Sequence, residues 1–206
     1  VGNGALTTAT TANDNVAVGA NALRLTTTGA NNTAMGKSAL DAQTTGSDNQ
    51  AIGVDALGAL TTGTHNTVMG NNAAALLTTA NNSVVMGNYA LDALTTGESN
   101  TAIGYYALRQ STTASGNVAL GYQALKANTT AADNTALGYN AMLVSTTGAY
   151  NTAVGNIALD ELTTGSFNTG VGRTALSGVT TGAKNTAVGA GAGADVSTAN
   201  YNTLVG

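Results

Sequence analysis

The chain of 206 residues is long enough for one or two ordinary domains, yet only 8% of it is charged, against roughly a quarter in typical globular proteins. The net charge of −4 is spread thinly, and the six basic residues (Arg24, Lys37, Arg109, Lys126, Arg173 and Lys184) form no cluster of the kind that reads nucleic-acid phosphates or an anionic membrane. No cysteine is present for a disulfide framework or a thiolate metal site, and the longest apolar run, Ala73 to Leu77, is too short to cross a bilayer.

The dominant pattern is a repeat. Thirteen glycines, from Gly2 through Gly19 and Gly36 to Gly189 and Gly206, stand 17 residues apart without an insertion or deletion. With this Gly as position 5, the unit reads N-T-A-V-G-x-x-A-L-x-x-L-T-T-G-x-x. A constant period with constant residue types means that each unit occupies the same environment. This predicts an all-β repeat solenoid, or β-roll, with one 17-residue unit per coil. Residues 1–206 then form a single array of about twelve repeats, roughly 58 Å long at a strand spacing of ~4.8 Å.

Taken in chain order, position 1 is Asn in eleven of twelve units, with Ser83 the exception. Its side-chain amides are expected to stack as a ladder and to satisfy backbone groups at a corner rather than to bind a ligand. Positions 2–4, as in Thr152-Ala153-Val154, read as a short strand stopped by Gly. The position-5 Gly supplies a positive φ or a tight approach at a corner. Positions 6–12 are open: Asn156 to Leu162 would suit one helical turn, with Leu159 and Leu162 three apart, and a strand fits equally. Position 8 is Ala in all twelve units and position 9 is usually Leu. Positions 13–15, T-T-G, read as a second short extended piece and a second corner.

The core this provides is thin. Positions 3 and 4 point to opposite faces of the strand, yet both are apolar. One face can fill the coil interior, and the other would pack against a neighbour. This predicts a homotrimer with position 4 or position 9 turned to the symmetry axis. Neither end carries a divergent capping unit, so the chain is expected to be a segment of a longer fibre.

Gly121-Tyr122-Gln123-Ala124-Leu125 followed by Asn134-Thr135-Ala136-Leu137-Gly138-Tyr139 resembles the N-T-A-L-G-Y-x-A-L-x-x-x-T-T-G repeats of phage and viral tail-fibre proteins. The resemblance covers the whole chain. It is more distantly similar to the N-S-V-A-I-G head repeats of trimeric autotransporter adhesins, whose repeat is shorter. Both resemblances imply a trimeric, elongated, extracellular structure used in attachment.

Candidate sites are few. Tyr105, Tyr122 and Tyr139 occupy position 6 in three successive coils, beside Tyr106, and form a candidate glycan-contact strip; the alternative is a surface aromatic ladder that stabilises the stack. The two threonine columns invite an ice-binding reading, but adjacent residues of a strand point to opposite faces, so only one rank would be exposed. His65 reads as a solvated turn residue. Asp160 and Glu161 are adjacent but have no base, nucleophile or pocket beside them. Nothing in the unit suggests a catalytic constellation, a metal site or a cofactor. The functional expectation is a structural shaft segment of an extracellular attachment fibre, with a phage tail fibre first. A bacterial surface adhesin or filament subunit comes second, and an ice- or glycan-binding solenoid third. The partners expected are further copies of the chain and a host-surface glycan or receptor, with no nucleic acid and no membrane insertion.

Overall fold

In a computed structural model the chain is an all-β parallel solenoid, described over all residues from Val1 to Gly206. Twelve three-residue strands, β1 (Val16–Val18) through β12 (Thr203–Val205), form one sheet in sequential order. Every pairing is parallel, and each strand sits against the residue 17 further on, as in Val16 beside Thr33 and Val18 beside Met35. The eleven steps from β1 to β12 correspond to roughly 53 Å at ~4.8 Å per step.

Coil-to-coil hydrogen bonds run around the whole perimeter. Val16 N–H donates to Asn32 O at 2.8 Å, Leu23 N–H to Ala39 O at 3.0 Å, and Thr27 N–H to Thr44 O at 2.9 Å. Three quite different parts of the unit therefore stack on the next coil in the same way. That is why one short strand per coil is enough: the turns carry ladders as well.

Positions 6–12 form neither a helix nor a strand. They make two successive turns, closed by bonds such as Ala22 N–H to Gly19 O at 3.3 Å and Gln43 N–H to Leu40 O at 3.3 Å. The reason lies at position 9, which is left-handed in every coil: Leu23 at φ 50°, Leu40 at 51°, Leu159 at 52°. A left-handed residue cannot continue a right-handed turn. The conformation costs Leu ~1–2 kcal/mol, but it turns the side chain inward, where full burial contributes ~2–3 kcal/mol. Positions 7 and 17 are left-handed too, and there Asn and Asp are frequent, as at Asn21, Asn140, Asp48 and Asp133. The T-T-G segment is likewise a bend and not a second strand.

The position-5 glycines behave as their spacing suggests. Gly104 has φ 137°, and a Cβ placed on it would lie 2.3 Å from the Gly121 carbonyl oxygen of the next coil. Both the backbone angle and the close stacking exclude any other residue.

The strand resolves which apolar face is inside. Position 3 is fully buried in nearly every coil (Ala34, Ala51, Val68, Val85, Ala102), whereas position 4 points outward. The interior is filled by position 3, the Ala of position 8 and the Leu of position 9. Position 9 is thus consumed within its own chain and cannot face a symmetry axis; of the two columns expected there, only position 4 is free.

The asparagine column is an internal ladder. Asn134 donates from Nδ2 to Gly148 O of its own coil at 2.8 Å, while its Oδ1 accepts from Asn151 N–H of the next coil at 2.8 Å. Its own N–H donates to Asn117 Oδ1 at 3.0 Å. The same geometry recurs at Asn49, Asn100 and Asn168. Ser83, the one substitute, still donates its N–H to Asn66 Oδ1 at 3.0 Å, while its hydroxyl accepts from Asn100 N–H at a longer 3.3 Å and cannot reach across to the position-15 carbonyl.

Position 12 varies inside the coil. Leu60, Leu77, Leu94 and Leu162 fill it with hydrocarbon, while Gln43 donates to Asn32 Oδ1 of the ladder and Asn128 exchanges bonds with the Ala131 backbone. Thr26, Ser111 and Ser145 bury hydroxyls that have no partner.

Candidate functional site

The tyrosine strip forms as a physical object. Column 6 places Tyr105, Tyr122 and Tyr139 one above another because each coil repeats the last. Tyr105 and Tyr122 have centroids 5.8 Å apart at 16°, and Tyr122 and Tyr139 are 5.2 Å apart at 9°. Tyr106 packs on Tyr105 at 3.8 Å. Tyr89, which the sequence reading missed, joins from the preceding coil, 6.5 Å from Tyr105 in an edge arrangement and 5.7 Å from Tyr106. Its signal was present in the sequence: Tyr89 and Tyr106 are 17 residues apart. The Arg109 guanidinium lies 4.3 Å from the Tyr106 centroid, and its Nε is 3.5 Å from Asp92 Oδ2. Burial pushes the Asp92 carboxyl up from its ordinary value, and the Arg109 charge opposes this.

This geometry bears on what the strip can contact. A sugar that stacks needs a free ring face, but here the faces are turned to one another. Tyr105, Tyr122 and Tyr139 remain 40%, 42% and 50% exposed, and Tyr139 is the last ring of the column, followed by Asn156. The arrangement is that of an aromatic ladder. A second, shorter ladder occurs in column 17, where Tyr150 and Phe167 stack at 5.0 Å and 8°. Further along that column, Lys184 donates to Tyr201 Oη at 3.1 Å.

The two threonine columns differ in chemistry. Position 13 is half-buried in most coils, and its hydroxyl donates to the position-13 carbonyl of the next coil, as from Thr61 to Thr78 O at 3.0 Å. Position 14 is exposed in all twelve coils. One rank therefore faces solvent with free hydroxyls, but the cause is this hydrogen bonding within a bend, not alternation along a strand.

Ionisable groups pair along columns. Arg24 Nε is 2.7 Å from Asp41 Oδ1, which raises the Arg24 pKa further, through that hydrogen bond first and the opposite charge second. His65 Nε2 is 3.7 Å from Asp48 Oδ2, and its Nδ1 is 3.0 Å from Thr64 Oγ1. Asp160 is partly buried with one oxygen unpartnered, and burial raises its pKa. No group of three His, Cys, Asp or Glu residues converges, and no pocket indents the surface. The asparagine column, fully buried through most of its length, cannot meet a ligand.

Neither a protein-family model, nor a curated protein, nor a solved structure matches this chain.

Proposed function

We propose that the chain is a structural shaft segment of an extracellular attachment fibre, of the tail-fibre kind that its repeats resemble, and that it assembles with further copies of itself as a homotrimer. One observation carries the reading: every coil stacks on the next through backbone bonds around its whole perimeter, with an unbroken 17-residue register. A stack of that kind resists bending and sets a length proportional to the number of units. The outward columns 6, 10 and 17 change freely from coil to coil, which suits a spacer rather than a single binding surface. On this reading the chain carries out no catalysis. Receptor contact, when it occurs, belongs to local departures such as the tyrosine ladder.

Immunogold electron microscopy with antibody against the 206-residue chain tests the proposal on the source virions or cells. Labelling along thin fibres projecting from virions supports it. Labelling of cell-surface filaments would favour the bacterial adhesin instead, and labelling confined to the cell interior would reject both.

A further inference from the structure

We infer that the tyrosine ladder is a site of oxidative cross-linking, where neighbouring phenols couple through their ring carbons and staple one coil to the next. Five of the seven tyrosines stand in four successive coils, from Tyr89 to Tyr139. Tyr105, Tyr122 and Tyr139 repeat in one column, with centroids 5.8 Å and 5.2 Å apart and planes within 16° and 9° of parallel. Because the coils are in register, the same ring carbon of each residue lies one coil spacing, ~4.8 Å, from its counterpart. All three rings are exposed. Exposed side chains change rotamer within nanoseconds, so the remaining gap closes by tilting about χ1 and χ2 while the backbone stays in place.

Stacking alone does not account for the hydroxyls. The other ladder, in column 17, pairs Tyr150 with Phe167 at 5.0 Å, so an aromatic stack on this solenoid accepts a ring without one. In column 6 every ring carries one. A phenol differs from a phenyl ring in that it can lose an electron together with its hydroxyl proton. The phenoxyl radical left behind shares its unpaired electron with the ring carbons ortho to the oxygen. The chain has no cysteine, so a disulfide cannot make the same link. Tyr106 is half-buried, and the Arg109 guanidinium lies 4.3 Å from its centroid, a charge that opposes loss of an electron from that ring. The coupling pairs are therefore Tyr105 with Tyr122 and Tyr122 with Tyr139.

The reaction balances with hydrogen peroxide as the oxidant and a haem peroxidase as its catalyst. Each of two tyrosines loses one electron and its hydroxyl proton. The two radicals join through a new carbon–carbon bond between ortho carbons, and the hydrogen displaced from each of those carbons returns to the phenol oxygen. The two electrons and two protons released break the O–O bond of one peroxide, which leaves as two waters. The product is a ring-to-ring bridge between residues 17 apart, in a chain lighter by two hydrogen atoms.

The test is treatment of the 206-residue chain with hydrogen peroxide and a haem peroxidase, followed by dityrosine fluorescence and peptide mass spectrometry. Rings in one ladder are held at an effective concentration in the millimolar range or above, so at micromolar chain, coupling within a chain should exceed coupling between chains by roughly 100-fold or more. The main product on a denaturing gel should therefore keep the 20.1 kDa chain mass, contain linked Tyr105–Tyr122 or Tyr122–Tyr139 peptides, and melt at a higher temperature than the untreated chain. Tyr122→Phe keeps the stack and should lose both links and most of the fluorescence. Tyr150→Phe should leave the yield unchanged, since the stacked neighbour of Tyr150 is Phe167. A second measurement does not depend on any variant folding: wild-type chain unfolded in urea should scatter its links over all seven tyrosines. Linked dimers as the main product would overturn the staple, as would an unaltered yield in Tyr122→Phe, the same link pattern with and without urea, or a linked chain that melts no higher. None of these outcomes depends on the chain being a fibre shaft.

Discussion

Substitution of Asn134 isolates the contribution of the buried amide ladder. Replacing it with Ala removes three bonds at once. Gly148 O loses its donor at 2.8 Å, Asn151 N–H loses its acceptor at 2.8 Å, and Asn151 Nδ2 loses a second acceptor at 3.1 Å. Two buried backbone groups are left unpaired, each at a cost of about 1–3 kcal/mol, so Asn134→Ala should destabilise by roughly 2–6 kcal/mol. Asn134→Ser should cost less, because Ser83 shows that a hydroxyl in this slot still accepts from the next coil. Asn134→Asp separates hydrogen bonding from shape: the carboxylate can accept from Asn151 N–H but cannot donate to Gly148 O. Its buried charge raises the folded-state pKa, so its deficit should be largest at pH 7 and shrink as the pH falls through that value. Urea denaturation followed by circular dichroism gives the ranking, and hydrogen exchange at the Asn151 amide gives the local effect. Losses below ~1 kcal/mol for Ala, or equal losses for Ala and Ser, would refute the ladder as a stabilising element.

Three further outcomes follow from the same stack. Gly104→Ala should prevent stacking or cost more than ~3 kcal/mol in thermal unfolding, since the new methyl meets the Gly121 carbonyl at a φ of 137°. Ser145→Leu should raise the melting temperature, because the hydroxyl is buried without a partner in a column where Leu60, Leu77, Leu94 and Leu162 stand elsewhere. Asp160 has a folded-state pKa raised by burial, so the stability it contributes is present below its unfolded pKa and lost as the pH rises through the folded value. Asp160→Asn should therefore stabilise the chain at pH 7 and make no difference near pH 3, as read from melting curves at the two pH values.

The 17-residue period alone determined that each unit occupies one coil, because identical residues at a fixed spacing can share one environment only if they stack. It also determined the glycine corner at position 5 and a stacked amide ladder at position 1, though not that the ladder faces inward. A polar residue that recurs in eleven of twelve units is most readily explained by a backbone group that also recurs. The candidate tyrosines were legible for the same reason, since Tyr105, Tyr122 and Tyr139 share a column.

What only the tertiary structure decided was the direction each residue faces. Ala153 and Val154 are both apolar, so strand alternation could not say which is inside. The interior is narrow and shared with Leu159 and Ala158, and the small side chain of position 3 fits there while Val154 turns outward. Leu159 and Leu162, three apart, suggested a helical turn. The left-handed conformation of Leu159 breaks it, and no propensity signals this, because the strain is offset by burial that exists only once the coil has closed. The tyrosines could be placed in a column from sequence, but whether their faces meet solvent or one another depends on side-chain packing across coils at a spacing of ~4.8 Å, which the linear order of residues does not contain.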